Sequence, residues 1–313
     1  MEGIAQGILG AGVTAAFHPV TLTKVLIQIG HEPVAPSPGT SIFGRKVLCY
    51  PNLFKYLGHI RKQDGFFGMY RGLMPRLAGG LIGTYVTASV SVQLKGGTNN
   101  LNLPPTKDEV DGDEEPSALA GIQTMAKNTS VEVLARCAGV IVSQPFHVIM
   151  VRSMGQFVGG ETAYSGLFSS IAEIYHHDGI LGFFSGLVPR ILGEVITIWL
   201  ANTLTYLVNT HIVHKAPGGT DFKNYTGAIF SLMVTQLTYP FNVVSNNLAI
   251  SGSGLAAGQP PNMPVYTNWL DCWRHLSLHR NLKRGSSLFM RQFTGPTITL
   301  HDGSLAMAGV RFS

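Results

Sequence analysis

Charge is scarce in this chain: Asp, Glu, Lys and Arg make up 12% of 313 residues against 45% hydrophobic residues, and the mean hydropathy is +0.21. A soluble domain carries about twice that charged share, so the composition points away from water as the sole solvent. Cysteine is nearly missing. Cys49, Cys137 and Cys272 form no CxxC and no close pair, which excludes a disulfide framework and a zinc finger of ordinary spacing. No basic residue precedes Lys24, and no polar break follows an apolar core near the start. That pattern argues against a secretory signal or a cleaved presequence and assigns targeting to internal segments. GxSxG, HExxH and a phosphate loop ending in Gly-Lys are absent as well, so the common hydrolase and nucleotide-binding chemistries have no motif here. Neither a catalytic residue nor a cofactor is expected.

What is present instead is long uncharged runs. Leu77–Leu94 and Val195–Thr210 carry no Asp, Glu, Lys or Arg, and neither does the stretch from Asn224 to Asn268. A spanning helix needs about 20 such residues. Five spans are readable: about Ile4–Ile29, Met74–Leu94, Val131–Met154, Val188–His211 and Asn224–Ile250. Residues 292–313 contain Gly295, Pro296, His301, Asp302, Gly303 and Arg311, and offer no clear sixth span. Five crossings would place the two chain ends on opposite faces of the bilayer. The connection after the first span holds Arg45, Lys46, Lys55, Arg61, Lys62 and Arg71, whereas the next holds Asp108, Glu109, Asp111, Asp113, Glu114 and Glu115. Such alternation is what a multi-pass topology produces. The net charge of +5 lacks aromatic interleaving, so membrane lipids rather than nucleic acid are the expected counterpart.

The chain also repeats itself. Asp64-Gly65-Phe66-Phe67-Gly68-Met69-Tyr70-Arg71-Gly72-Leu73-Met74-Pro75-Arg76 returns as Asp178-Gly179-Ile180-Leu181-Gly182-Phe183-Phe184-Ser185-Gly186-Leu187-Val188-Pro189-Arg190. Each copy leads into an apolar run, so one supersecondary unit enters the membrane at least twice. Pro19, Pro145 and Pro240 fall at matching depth in the odd-numbered spans, where proline removes a helix hydrogen bond and bends the chain. The predicted fold is an all-α membrane protein, a threefold repeat bundle with five readable transmembrane helices and no clear sixth. Its parts are a first repeat over 1–98, an acidic connecting loop over 99–130, a second repeat over 131–215, a partial third over 223–291, and a C-terminal tail over 292–313. A short surface helix is expected between the spans of each repeat. In the third repeat only Tyr266-Thr267-Asn268-Trp269-Leu270-Asp271-Cys272-Trp273 is recognisable.

On these features the chain resembles the mitochondrial carrier family, whose three tandem repeats each begin with Pro-x-acidic-x-x-basic. Here Pro19 is followed by Thr21 and Lys24, Pro145 by His147 and Met150, and Pro240 by Asn242 and Ser245. The resemblance implies that acid and base of successive repeats close one side of a cavity in exchanging carriers. No acid remains for that ring. The segments Lys24-Val25-Leu26-Ile27-Gln28-Ile29-Gly30-His31-Glu32-Pro33, Ile42-Phe43-Gly44-Arg45, and Gln144-Pro145-Phe146-His147-Val148-Ile149 look like the divergent mitochondrial carrier homologs of the outer membrane. That likeness implies a multi-pass insertase for tail-anchored and other α-helical clients, a role in apoptosis with truncated Bid, and phospholipid scrambling. A degenerate solute carrier, or a receptor or scaffold for apoptotic proteins, are the alternatives.

Ionisable and amide residues at membrane depth are the candidate groove and client-binding residues: Lys24, Arg136, His147, Arg190, Glu194, Gln236, Asn242 and Asn246. Each costs several kcal/mol if it faces lipid, so a wet groove or mutual pairing must accommodate it. Plainer readings stand beside this one. Lys24, Arg76 and Arg152 can snorkel, Arg190 and Glu194 can form an i,i+4 pair, and the amides can bond between helices. Asp271, His275 and His279 share a helical face, but no fourth ligand lies near them and no metal is expected.

Overall fold

The computed structural model describes residues 10–40, 44–98, 118–211, 219–289, 291–293, 295, 297–299 and 305–307. Eight of its helices frame the functional reading: α1 (His18–Gln28), α2 (Leu53–Gly68), α3 (Leu73–Thr98), α4 (Ala118–Gly155), α5 (Leu167–Gly182), α6 (Leu187–His211), α7 (Gly219–Ile250) and α8 (Trp269–Leu278). Two small hairpins accompany them, β1 (Ser37–Thr40) with β2 (Lys46–Cys49), and β3 (Thr297–Thr299) with β4 (Leu305–Met307). The chain divides into two compact units. One comprises Met1–Gly79, Pro145–Gly186 and Val243–Ser313, the other Gly80–Gln144 and Leu187–Asn242.

Leu73–Gly96, Leu119–Gly155 and Leu187–Thr210 are long and apolar enough to cross a membrane. Helix α7, at 32 residues, has the length as well. It carries the amides Gln236, Asn242, Asn246 and Asn247 and is not among those three. The first expected span begins outside the described residues, and the helical turns from Gly10 break at Phe17, immediately before α1. Pro19 therefore sits at the start of α1, where a missing N–H is harmless, whereas Pro145 and Pro240 lie inside continuous helices. Helix α4 starts at Ala118 rather than near Val131, so the end of the expected acidic connection is helical. The acidic residues themselves, from Asp108 to Glu115, lie outside the described residues.

The surface helices α2, α5 and α8 occupy the expected places. Asn52 and Asn268 cap the first and last by accepting from the N–H groups of Lys55 and Asp271 at 3.1 and 2.9 Å. Gly65 (φ 74°) and Gly179 (φ 67°) break α2 and α5 at the same point of the repeated motif. These turns need a residue that tolerates positive φ, which is why Asp-Gly recurs there.

In the first unit, Leu22, Leu26, Tyr56, Ile60, Val151 and Ile174 share one buried core. Arg152 is buried with them, and its guanidinium donates to the Ala249 carbonyl (2.9 Å), the Tyr164 hydroxyl (3.3 Å) and the Asp178 carboxylate (2.5 Å). Asn247 occupies the position after Pro240 that Arg152 occupies after Pro145. It donates to the Gln28 carbonyl at 2.9 Å, just as Arg152 donates to the matching carbonyl of the next repeat. Snorkelling does not describe Arg152: it is a fully enclosed tie between repeats.

Two glycines at the repeat ends make a second set of matched contacts. Gly72 (φ 77°) leaves 3.0 Å between a Cβ placed on it and the Met150 carbonyl oxygen, and a Cβ on Gly186 (φ 75°) would collide with the Ser245 carbonyl. Met150 and Ser245 stand where the repeat pattern places its basic residue, so each preceding turn closes on that position. Gly285 (φ 76°), after Lys283 and Arg284, is a third such turn that the sequence reading missed.

The described part of the 292–313 tail forms strand rather than helix. Gln292 bridges to Cys49, the Phe293 N–H donates to Leu48 O and the Tyr50 N–H to Arg291 O, both at 2.8 Å, which extends the β2 edge. Arg291 is fixed there by Glu32 and by the Pro51 carbonyl. Burial raises the Glu32 carboxyl to about 7, against the opposing pull of Arg291 and Arg284.

Candidate functional site

The most extended polar arrangement lies within the second unit, on helices α4 and α6. Three layers of contact connect them. Arg190 donates to the Gln144 side-chain oxygen at 2.7 Å. Arg136 meets Glu194 through two bonds, Nε to Oε2 at 3.0 Å and Nη2 to Oε1 at 3.2 Å. Asn202 donates to Glu132 at 2.8 Å and to the Thr129 hydroxyl at 3.2 Å. From Thr129 to Gln144 the ladder follows α4 for about 22 Å, at 1.5 Å per residue. That approaches the hydrocarbon thickness of about 30 Å.

Local sequence explains why these side chains meet. Thr129, Glu132 and Arg136 recur at helical spacing, so they share a face of α4, and Arg190 and Glu194 share one on α6. Small residues beside them let neighbouring helices approach: Gly83 abuts Ser143, and Gly193 abuts Phe241. Hydroxyls continue the theme, with Thr197 and Thr238 2.7 Å apart between α6 and α7. The pairing differs from the i,i+4 expectation. Glu194 is taken by Arg136 across the helices, which leaves Arg190 to Gln144. Arg136 makes the two-bond guanidinium–carboxylate fork with Glu194, an arrangement that adds geometric specificity to charge-assisted bonding.

The pair is not sealed off. The Arg136 and Glu194 side chains are 48% and 29% exposed, on helices that otherwise have the composition of membrane spans. Gln236 and Asn242 on α7 are exposed as well. Thus Arg136, Arg190, Glu194, Gln236 and Asn242 belong to the second unit, and the structure joins the Arg136–Glu194 pair directly.

The other three predicted residues belong to the first unit. Lys24 is half-buried on α1 and His147 partly buried on α4. Asn246 is buried, and its amide donates to the Gln28 side-chain oxygen at 2.6 Å. It therefore acts as an interhelical tie, as do Ser245, which donates to Gly186 O at 2.9 Å, and Asn247. Among these α7 residues, bonding between helices and exposure divide cleanly by position. Sequence reasoning missed Glu132, Gln144 and Asn202, although Glu132 stands one turn before Arg136 on the same face.

On α8, His275 Nδ1 lies 2.9 Å from the Tyr266 hydroxyl, and the His279 ring lies tilted against that of His275 with centroids 4.5 Å apart. Among the described residues no group of three or more His, Cys, Asp or Glu is placed to hold a metal.

The comparisons agree with this architecture. The family model described as mitochondrial carrier protein matches residues 2–100 and 123–215. The chain belongs to the mitochondrial carrier family. Mitochondrial carrier homolog 2 of Homo sapiens is 42% identical over 292 residues, covering 93% of this chain and 94% of the relative. Mitochondrial carrier homolog 1 of Mus musculus is 38% identical over 302 residues, covering 91% and 75%. A family member named for a solute, nicotinamide adenine dinucleotide transporter 2 of Arabidopsis thaliana, is 26% identical over 261 residues, covering 78% and 63%. The chain is thus a divergent carrier-family membrane protein, nearer in sequence to the homologs than to this named transporter.

Proposed function

We propose that this carrier-family protein is a non-enzymatic insertase of the mitochondrial outer membrane, acting on tail-anchored and other α-helical clients. The observation that carries the reading is the polar ladder from Thr129 to Gln144. A client tail must move polar groups through hydrocarbon, and a single charged residue at the bilayer centre costs about 2.5–3.5 kcal/mol on insertion scales. Exposed Arg136 and Glu194 replace part of the lost hydration. Gln236 and Asn242 supply neutral hydrogen-bonding groups in the same unit, and Lys24 is the candidate cation of the first unit. Phospholipid headgroups have the same solvation problem, so scrambling would use the same chemistry. The carrier pattern's acids are replaced by Thr21, His147 and Asn242, which removes the acid–base ring that solute exchange requires.

Initial insertion rates of an acidic-tailed client, measured for variants at equal folded abundance, test the assignment. Lys24→Leu lowers the attraction for the tail and is expected to slow insertion about two- to fivefold, the range of one partly exposed charge contact. Glu194→Leu releases Arg136 from its carboxylate and is expected to speed insertion by a similar factor. Unchanged rates in both variants would refute the residue assignment.

A further inference from the structure

Outside the proposed insertion path, α8 carries a pair of histidines one helical turn apart. His275 lies in the last turn of the helix and His279 caps its C-terminus. Their ring centroids are 4.5 Å apart. A spacing of four residues puts two side chains on one helix face, the arrangement by which helical histidine pairs hold a metal ion. Cys272 and Leu276 are the buried residues of this helix, which turns the pair toward the surface. His275 is half-buried and His279 exposed.

Both rings are oriented by the protein through Nδ1. His279 Nδ1 lies 2.9 Å from the His275 carbonyl oxygen, which can only accept, so the proton of this imidazole sits on Nδ1 and the Nε2 lone pair is available. His275 Nδ1 lies 2.9 Å from the Tyr266 hydroxyl, whose second partner is the Cys272 thiol. A hydroxyl accepts as well as donates, so the same tautomer is open to His275. Metal-ligating histidines almost always bond one ring nitrogen to a neighbouring acceptor, which frees the other for the ion. Among the described residues neither Nε2 atom has a hydrogen-bond partner.

Helix capping accounts for His279 Nδ1 but gives Nε2 no use on either ring. The turn that follows holds the pair in place. Arg280 has φ 57°, and its N–H and that of Asn281 donate to Ser277 O at 3.0 Å and Leu276 O at 2.8 Å, a left-handed closure that fixes the backbone at His279. The surrounding charge is mixed: Asp271, one turn before His275, favours a cation there and Arg284 opposes one. Among the described residues no third His, Cys, Asp or Glu completes a cluster, so water fills the remaining coordination positions. Neutral imidazole suits zinc, copper and nickel ahead of the oxygen-seeking calcium and magnesium.

We propose that His275 and His279 chelate a divalent transition-metal ion through their Nε2 atoms, bracing the C-terminal turn of α8. Zinc chloride is the probe, titrated calorimetrically at about pH 7.5, where unperturbed imidazole is mostly neutral, into the full chain without an affinity tag in phosphatidylcholine nanodiscs. Wild type is expected to bind zinc saturably. His275→Ala and His279→Ala should each weaken binding at least about tenfold, the lower end of what losing even an outer partner of a metal site costs. His279→Gln keeps an amide that can cap the helix but removes the imidazole, and should lose as much affinity as His279→Ala. His176→Ala, at an exposed histidine on α5, should bind as wild type does. With free zinc at about ten times its Kd, hydrogen exchange of the Arg280 and Asn281 amides should slow about tenfold, because the ion binds only the closed turn. The proposal is overturned if wild type does not bind zinc saturably, if the His275→Ala/His279→Ala double variant or His279→Gln binds it as tightly as wild type, or if zinc leaves the exchange of both amides unchanged. Neither histidine belongs to the buried core, so these substitutions leave the fold intact.

Discussion

Replacing Asp178 with alanine is expected to destabilise the folded protein by about 3–5 kcal/mol, the cost of stranding a buried charge. The charge stranded is Arg152, whose side chain is 1% exposed, while Asp178 is 22% exposed. The remaining guanidinium contacts, Ala249 O and the Tyr164 hydroxyl, are neutral and cannot balance it. Burial opposes ionisation of Asp178, but His177 and Arg152 outweigh it and hold the carboxyl below its ordinary range. A second substitution separates this cause from a general packing defect. Arg152→Met in the Asp178→Ala background removes the stranded charge and should recover part of the loss, because an apolar side chain of similar length fills the same space. Chemical unfolding in detergent, followed through the reactivity of buried Cys272, measures all three proteins on one scale. If the double variant is no more stable than Asp178→Ala, charge burial is not the cause.

Gly186→Ala is expected to cost about 2–5 kcal/mol, through two separable effects. A non-glycine residue in the left-handed region costs about 1–2 kcal/mol. The added Cβ also collides with the Ser245 carbonyl, and relieving such overpacking costs about 1–3 kcal/mol. Gly179→Ala isolates the first effect, because Gly179 has positive φ but open space where the Cβ would go. A loss confined to about 1–2 kcal/mol at both positions would contradict the close approach of Gly186 to α7. The comparison matters for function because this contact ties the second repeat to the helix that carries Gln236 and Asn242.

The repeated Asp-Gly motif, its turn glycines and the surface helix before it were legible because they depend on local chemistry: caps, positive φ and helical spacing. The partners of the candidate residues were not. Arg190 and Glu194 stand four residues apart, which is all that sequence shows, and nothing in that spacing says that Arg136 is nearer to the carboxylate. Such choices depend on how helices distant in sequence approach one another. Asn246 and Gln236 illustrate the same limit, since both are amides on α7 and only the packing makes one a tie to Gln28 and leaves the other exposed. The C-terminal bridge to β2 was invisible for a different reason. Its register rests on backbone bonds of Tyr50 and Phe293, and backbone groups carry no sequence signature. Gly285 escaped notice because three residues around one glycine are too short a copy of the motif to stand out.

The central claim is that the chain alone provides a path for polar tails through a bilayer. The most direct measurement reconstitutes the pure protein in liposomes, adds a tail-anchored client and records protease-protected client against time, with counter-exchange of entrapped solute followed in the same vesicles. The account predicts insertion faster than in protein-free liposomes, with no solute exchange. Solute exchange without any increase in insertion would contradict it.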